Sequence, residues 1–287
     1  MLERWARPFA RLSNATARVM SALFTALGRP GKLLQDFLNG AWLGHSLHPV
    51  LVDVVVGGST VALLLQLLTW LGVADVRTAL VWTLVLTWLA ALSAIVTGLT
   101  DFKDTTGGDE RNLAGLHGLT NIVATLALIG AFVALLVRAD ALAGWLILAG
   151  FLILSVGAFI GGHVVFKYGY MVNHNAFARG KAAKEFTAVL PAADLPEATP
   201  TPAMLGATAL VVVRRGDLVF ALKDTCSHAG AALSKGHLEG DTIVCPSHAS
   251  AFRLSDGAVR HGPAATRQVT YRARISDGQV EVEGPIG

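Results

Sequence analysis

Four apolar runs constrain the fold of this chain more than any other feature. They cover residues 50–71, 80–99, 119–137 and 142–165. The first carries one ionisable acid, Asp53, and the other three contain no Asp, Glu, Lys or Arg. Each is close to the ~20 residues that a helix needs to cross a hydrocarbon core of roughly 30 Å. Surface helices of soluble proteins keep a polar face, and four apolar runs in succession are hard to explain as ordinary buried helices, so they predict an all-α four-helix transmembrane bundle. Charged residues make up 15% of the chain, against about 25% in soluble domains. The lipid bilayer is therefore the first expected partner.

Basic residues set the expected orientation. Arg4, Arg7, Arg11, Arg18, Arg29 and Lys32 precede the first run, and Lys167, Arg179, Lys181 and Lys184 follow the fourth. The loop between runs two and three holds Lys103 and Arg111, whereas the other two loops hold only Arg77 and Arg138. The positive-inside rule then places both termini and the middle loop in the cytoplasm. The expected location is a bacterial inner (cytoplasmic) membrane, crossed several times. No short charged and apolar leader with a cleavage site opens the sequence, so no cleaved signal peptide is expected. The net charge of +3 gives no reason to expect nucleic acid as a partner.

Residues 1–44 interleave Trp5, Phe9, Leu12, Leu23, Phe24 and Leu27 with arginines. They read as a basic amphipathic cytoplasmic arm, or as a partly disordered basic tail. Residues 45–172 form the membrane domain, and 173–184 a polar linker. From 185 to 287 the pattern changes to short β-type runs with turns such as Ser255-Asp256-Gly257 and Ser276-Asp277-Gly278. That pattern predicts a small antiparallel all-β domain.

The β domain holds the chain's two cysteines. Cys226-Ser227-His228 is followed by Cys245-Pro246-Ser247-His248. Structural zinc sites space their first pair as C-x2–4-C, and a C-x-H pair suits one tetrahedral ion poorly. Two loops that each offer one thiolate and one imidazole suit a two-iron cluster, with the cysteines on one iron and the histidines on the other. Cys226, His228, Cys245 and His248 are the expected metal ligands, and a [2Fe-2S] cluster the expected cofactor. With both cysteines engaged, none is left for a disulfide, which fits a reducing compartment. His237 and His261 fall outside the ligand spacing and read as surface residues.

From about residue 185 onward the chain resembles the Rieske ferredoxin family. Cys226-Ser227-His228-Ala229-Gly230 is similar to its first cluster loop, and Cys245-Pro246-Ser247-His248-Ala249-Ser250 to its second. Gly262-Pro263-Ala264 is similar to the proline loop that covers the cluster. The resemblance implies an all-β Rieske-type iron-sulfur fold, one-electron transfer with a redox partner protein, and ligand histidines at an exposed tip. It also implies that Ser250 occupies the position of a serine that hydrogen-bonds the cluster sulfurs. Phe252 stands where higher-potential members have a tyrosine. Hydrogen bonds to the sulfurs favour the reduced cluster, so a potential below the respiratory type is expected.

The membrane half resembles an uncharacterised family of bacterial membrane proteins. The residues that carry this are Leu47-His48-Pro49-Val50-Leu51-Val52-Asp53, Gly98-Leu99-Thr100-Asp101, His117-Gly118-Leu119-Thr120-Asn121 and Gly161-Gly162-His163. The expected topology gathers His48, Asp53, His117, Asn121 and His163 toward one side of the membrane. Ionisable groups at depth are costly and tend to face a bundle interior. They are either interfacial helix-end residues or a site for a redox group such as haem or quinone. The function expected is a membrane-tethered Rieske iron-sulfur protein transferring single electrons at the cytoplasmic face. The alternatives are a membrane-bound oxidoreductase with a haem or quinone site in the helical domain, and a cluster-based redox sensor.

Overall fold

The computed structural model describes residues 2–73, 75–176 and 183–286. Arg179 and Lys181, counted above as topology signals, fall outside the described residues, as does half of the linker. The chain forms two compact units. One comprises Met1–Gly31 and Ser46–Tyr170, and the other Lys32–His45 and Met171–Gly287.

The first unit is helical. Helices α1 (Leu2–Ala6) and α2 (Ala10–Ala26) precede four long ones: α4 (Leu47–Trp70), α5 (Arg77–Phe102), α6 (Gly108–Leu136) and α7 (Asp140–Tyr168), while α3 (Gly28–Leu38) starts in this unit and continues into the second from Lys32. All four long helices are long and apolar enough to cross a membrane. Helix α6 starts well before its apolar run because Gly107, at φ +102°, breaks the chain there. Asp109 and Glu110 then occupy the first turn, where carboxylates suit the helix dipole. Gly169 closes α7 in the left-handed conformation, as helix-ending glycines commonly do.

Contacts run α4–α5, α5–α6, α6–α7 and α7–α4, so the four helices close a ring with α4 diagonally opposite α6. Alanines and branched residues fill the interior, among them Ala62, Leu84, Leu128, Ala131 and Ile147. Large apolar side chains such as Trp82, Leu86, Phe159 and Phe166 point outward and are exposed, as lipid-facing residues must be. Helices α1 and α2 pack on α6, and Ala6 is fully buried in a cluster with Leu113, Ile160 and Val164.

The second unit is built on two antiparallel sheets. Strands β1 (Ala183–Pro191), β2 (Thr201–Leu205), β3 (Thr208–Arg215), β4 (Leu218–Lys223), β9 (Thr270–Ser276) and β10 (Gln279–Ile286) form a sheet in the order β1-β10-β9-β4-β3-β2. Strands β5 (His237–Glu239), β6 (Thr242–Val244), β7 (Ala251–Arg253) and β8 (Val259–His261) form the smaller sheet. The β9–β10 turn places Asp277 and Gly278 both at positive φ, which the tight hairpin needs. The β-type runs of the sequence, at 186–190, 209–213, 218–222, 242–245, 251–254, 266–275 and 279–282, correspond to seven of these strands. The others, β2, β5 and β8, are edge strands. β2 contains Pro202, and β5 and β8 are three-residue strands with polar side chains, so none shows an alternating apolar pattern.

Candidate metal centre

Both cysteine loops project beside the smaller sheet. The first follows β4 and the second joins β6 to β7, and the two have the same backbone bonding. In the first, the Cys226 N–H donates to the carbonyl of Ala231, and the Gly230 N–H donates to the carbonyl of Cys226. In the second, the Cys245 N–H donates to the carbonyl of Ser250, and the Ala249 N–H donates to the carbonyl of Cys245. Gly230 and Ala249 both take positive φ, +77° and +59°. Two unrelated stretches thus make one loop shape twice, each presenting a cysteine and then a histidine.

The thiols meet. Cys226 and Cys245 are buried and form no disulfide, and a hydrogen bond between their sulfurs holds the pKa of Cys245 below that of an ordinary thiol and pushes that of Cys226 up. Backbone N–H groups of Ser247 and His248 favour the Cys245 thiolate, and those of His228 and Ala229 favour the Cys226 thiolate. Opposite them, the rings of His228 and His248 lie 5.0 Å apart between centroids at 90°. Metal–nitrogen bonds of about 2.0–2.1 Å put each ring centre about 3.2 Å from the metal. Two imidazoles 5.0 Å apart therefore subtend roughly 100° at a shared ion, a tetrahedral angle.

The donor set fits a [2Fe-2S] cluster, with two thiolates for one iron and two imidazoles for the other. No group of three or more His, Cys, Asp or Glu side chains converges on one point among the described residues.

Surrounding residues hold the loops in place. Gln268 is 3% exposed. Its Oε1 accepts from the Ser227 N–H (3.1 Å) and from Asn175 Nδ2 (3.2 Å), and its Nε2 donates to the carbonyls of Lys223 (2.5 Å) and Thr225 (2.7 Å). Ser227 Oγ donates to the Thr266 carbonyl, and the His174 N–H donates to the Ser227 carbonyl. Ser250 is fully buried, and its Oγ accepts from the Ala264 N–H (3.0 Å), which ties the second loop to the proline loop. Phe252 packs in the core with both cysteines. Sequence reasoning missed Gln268 and Asn175, because a buried amide in a loop has no spacing signature.

Three expectations change. Of the ligand histidines, His228 is buried and only His248 is part-exposed, because residues 173–175 wrap the first loop. His261 is not a free surface residue: its Nδ1 bonds Asp36 Oδ1 at 2.7 Å, and the Gly262 N–H donates to the same oxygen at 2.7 Å. His237 is exposed beside Glu239, as expected of a surface residue. Residues 32–45 therefore belong with the β domain, not with a free arm.

In the helical unit, the structure brings His48, His117 and Asn121 together. His48 Nδ1 lies 2.8 Å from the Ala94 carbonyl, and His117 Nδ1 lies 2.8 Å from the Gly157 carbonyl. Asn121 Nδ2 donates to the His117 carbonyl at 2.8 Å. The other two candidates stand apart. Asp53 is exposed, because five helical residues rotate it about 140° from His48. His163 faces Glu3, which also pairs with Lys167.

Residues 185–272 match the family described as "Rieske [2Fe-2S] domain", and residues 44–174 match "Predicted membrane protein (DUF2231)". The β unit thus defines a Rieske iron–sulfur protein, fused to a predicted membrane domain. Ferredoxin CarAc of Metapseudomonas resinovorans is 39% identical over 28% of this chain and 75% of its own length. The anthranilate 1,2-dioxygenase ferredoxin subunit of Burkholderia cepacia is 38% identical over 30% of this chain and 80% of its own length. The 3-phenylpropionate/cinnamic acid dioxygenase ferredoxin subunit of Escherichia coli (strain K12) is 37% identical over 24% and 67%. Through its C-terminal domain the chain belongs to the Rieske ferredoxin family, whose domain carries electrons on a [2Fe-2S] cluster.

Proposed function

We propose that the chain is a membrane-tethered electron carrier whose Rieske domain works at the cytoplasmic face of a bacterial inner membrane. Cys226, His228, Cys245 and His248 would hold the cluster, which when bound supplies one-electron transfer. The observation that carries this reading is the paired loop geometry: two loops of one backbone shape that bring their thiols into contact and their imidazole rings to 5.0 Å between centroids. The protein's part is to fix that geometry. Gln268 and Ser227 anchor the first loop and Ser250 anchors the second. The backbone N–H groups of residues 228, 229, 247 and 248 favour negative charge on the cysteine sulfurs. His248, the more exposed imidazole, is the ligand through which a redox partner protein would approach. The dioxygenase ferredoxin subunits among the relatives favour an oxygenase component as that partner.

The orientation rests on the basic residues that flank the helical unit. The alternative, an oxidoreductase with a haem or quinone in the helical domain, is favoured by one observation, the pairing of His48 and His117.

Cofactor analysis tests the carrier reading. Full-length protein purified in detergent is expected to hold two irons and two acid-labile sulfides and, when reduced, to give a Rieske-type paramagnetic signal. His248→Ala should abolish that signal. Stoichiometric zinc in protein made with ample iron would overturn the assignment.

A further inference from the structure

We propose that His48 and His117 are the two axial ligands of a haem iron held on the diagonal of the membrane bundle. This goes beyond the carrier reading and does not depend on it.

The two histidines occupy equivalent places in a repeat. His48 near the start of α4 bonds the carbonyl of Ala94 on α5, and its ring rests on Gly98, four residues further along. His117 on α6 bonds the carbonyl of Gly157 on α7, and its ring rests on Gly161, again four residues further along. A Cβ at 98 would come within 2.9 Å of His48 Cε1, and a Cβ at 161 within 2.6 Å of His117 Cε1. The α4–α5 and α6–α7 hairpins therefore treat their histidines alike. The Leu-His pairs at 47–48 and 116–117 are the sequence trace of this repeat.

The bonding fixes the chemistry of each ring. A carbonyl only accepts, so Nδ1 carries the proton in both imidazoles and Nε2 keeps its lone pair. Metal-ligating histidines are held in this way, with the second ring nitrogen donating to a backbone carbonyl or a carboxylate. Nearby polar groups leave this assignment unchanged. Asn121 Nδ2 lies 3.1 Å from Nδ1 and 3.4 Å from Nε2 of His117, yet its short bond goes to the His117 carbonyl. Thr97 Oγ1 is 3.5 Å from His48 Nδ1 and donates to backbone carbonyls of its own helix.

Spacing supplies the independent argument. The two rings lie 6.3 Å apart between centroids, at 86°. With each ring centre about 3.2 Å from a metal, two imidazoles in trans on one ion stand about 6.4 Å apart. The same arithmetic that gives a tetrahedral angle for His228 and His248 thus gives a near-linear one here. Two donors are too few for a zinc site, which takes three or four protein ligands. No third His, Cys, Asp or Glu joins them among the described residues. A porphyrin brings four nitrogens of its own and leaves two axial positions, which two imidazoles fill. The core cluster of Val55, Ala91, Ala94, Ala124 and Leu154, which includes the Ala94 whose carbonyl His48 bonds, is apolar and mostly small.

Full-length protein should be produced in cells fed 5-aminolevulinate and purified in detergent. Haem is then counted per chain, with low-temperature paramagnetic resonance on the same sample. The expected result is one six-coordinate, low-spin haem per chain, with the strongly anisotropic signal of perpendicular imidazole planes. His48→Ala and His117→Ala should each lower haem content by about ten-fold or more, while the Rieske signal reports an intact chain. His163→Ala should keep the haem. His48→Met, which retains a ligand, should bind haem with an altered visible spectrum. Wild-type protein with a full Rieske signal that neither carries haem nor takes up added hemin would overturn the proposal. So would unchanged haem content in both alanine variants, or a His48→Met spectrum identical to wild type.

Discussion

Replacing Gln268 with Met tests whether the first cluster loop is held by one buried amide. The change keeps side-chain length and removes four hydrogen bonds. Not all four losses count equally. The Thr225 carbonyl and Asn175 Nδ2 still have each other at 2.9 Å. The Ser227 N–H and the Lys223 carbonyl lose the partner that Gln268 supplies. Each buried group left unsatisfied costs ~1–3 kcal/mol, so the two together cost about 2–6 kcal/mol. For a domain near 100 residues, 1 kcal/mol moves the melting temperature by roughly 4–8 °C, so the expected drop is about 10 °C or more. The assay is thermal loss of the cluster's visible circular dichroism in full-length protein. Gln268→Glu separates hydrogen bonding from shape, because its second oxygen would face two carbonyls and protonation should relieve the clash. Its deficit should therefore shrink as pH falls. A Gln268→Met variant that melts within about 2 °C of wild type would show that the loop is held by packing alone.

Three other outcomes follow from the same structure. Ser250→Ala should lower the cluster potential and Phe252→Tyr should raise it, because donors near the sulfurs favour the reduced state. Protein-film voltammetry reads both, and unchanged potentials with intact clusters would place these side chains out of reach. Asp256 is held down to about 2, first by its bond to Arg253 and then by the Ala258 N–H, so its pairing stabilises the fold above its unfolded value and is lost as pH falls through about 2. Asp256→Asn should thus lower the melting temperature slightly at pH 7, by under about 1 kcal/mol for a pair this exposed. The difference should narrow below about pH 4, and a gap that persisted at pH 2 would refute the pairing. A reporter fused after residue 287 should be active in the cytoplasm, and activity only in the periplasm would reverse the proposed orientation.

The long apolar helices and the paired cysteine–histidine loops were legible because each has a local signature, a run length in one case and a motif in the other. What was illegible is what depends on distant partners. Asp36 and His261 are separated by most of the chain, and nothing near residue 36 marks it as part of the β unit. Asp53 and His163 share a depth with His48 in the linear reading, but helical phase and Glu3 take them elsewhere. The edge strands β2, β5 and β8 carry no apolar alternation because β2 contains Pro202 and β5 and β8 are only three residues long. Gln268 became visible only once folding had gathered residues 175, 223, 225 and 227 around it.

The placement of residues 32–45 has a practical consequence for dissecting this protein. A fragment begun at residue 185 would carry all four expected cluster ligands and the whole of the family match, residues 185–272. It would also lack Asp36, and with it the carboxylate that the His261 ring and the Gly262 N–H both use. The proline loop would lose that support. Cluster lifetime or potential measured on such a fragment would describe a loosened version of the site. Appending residues 32–45 through a flexible tether, or supplying them as a peptide, is the direct way to restore it.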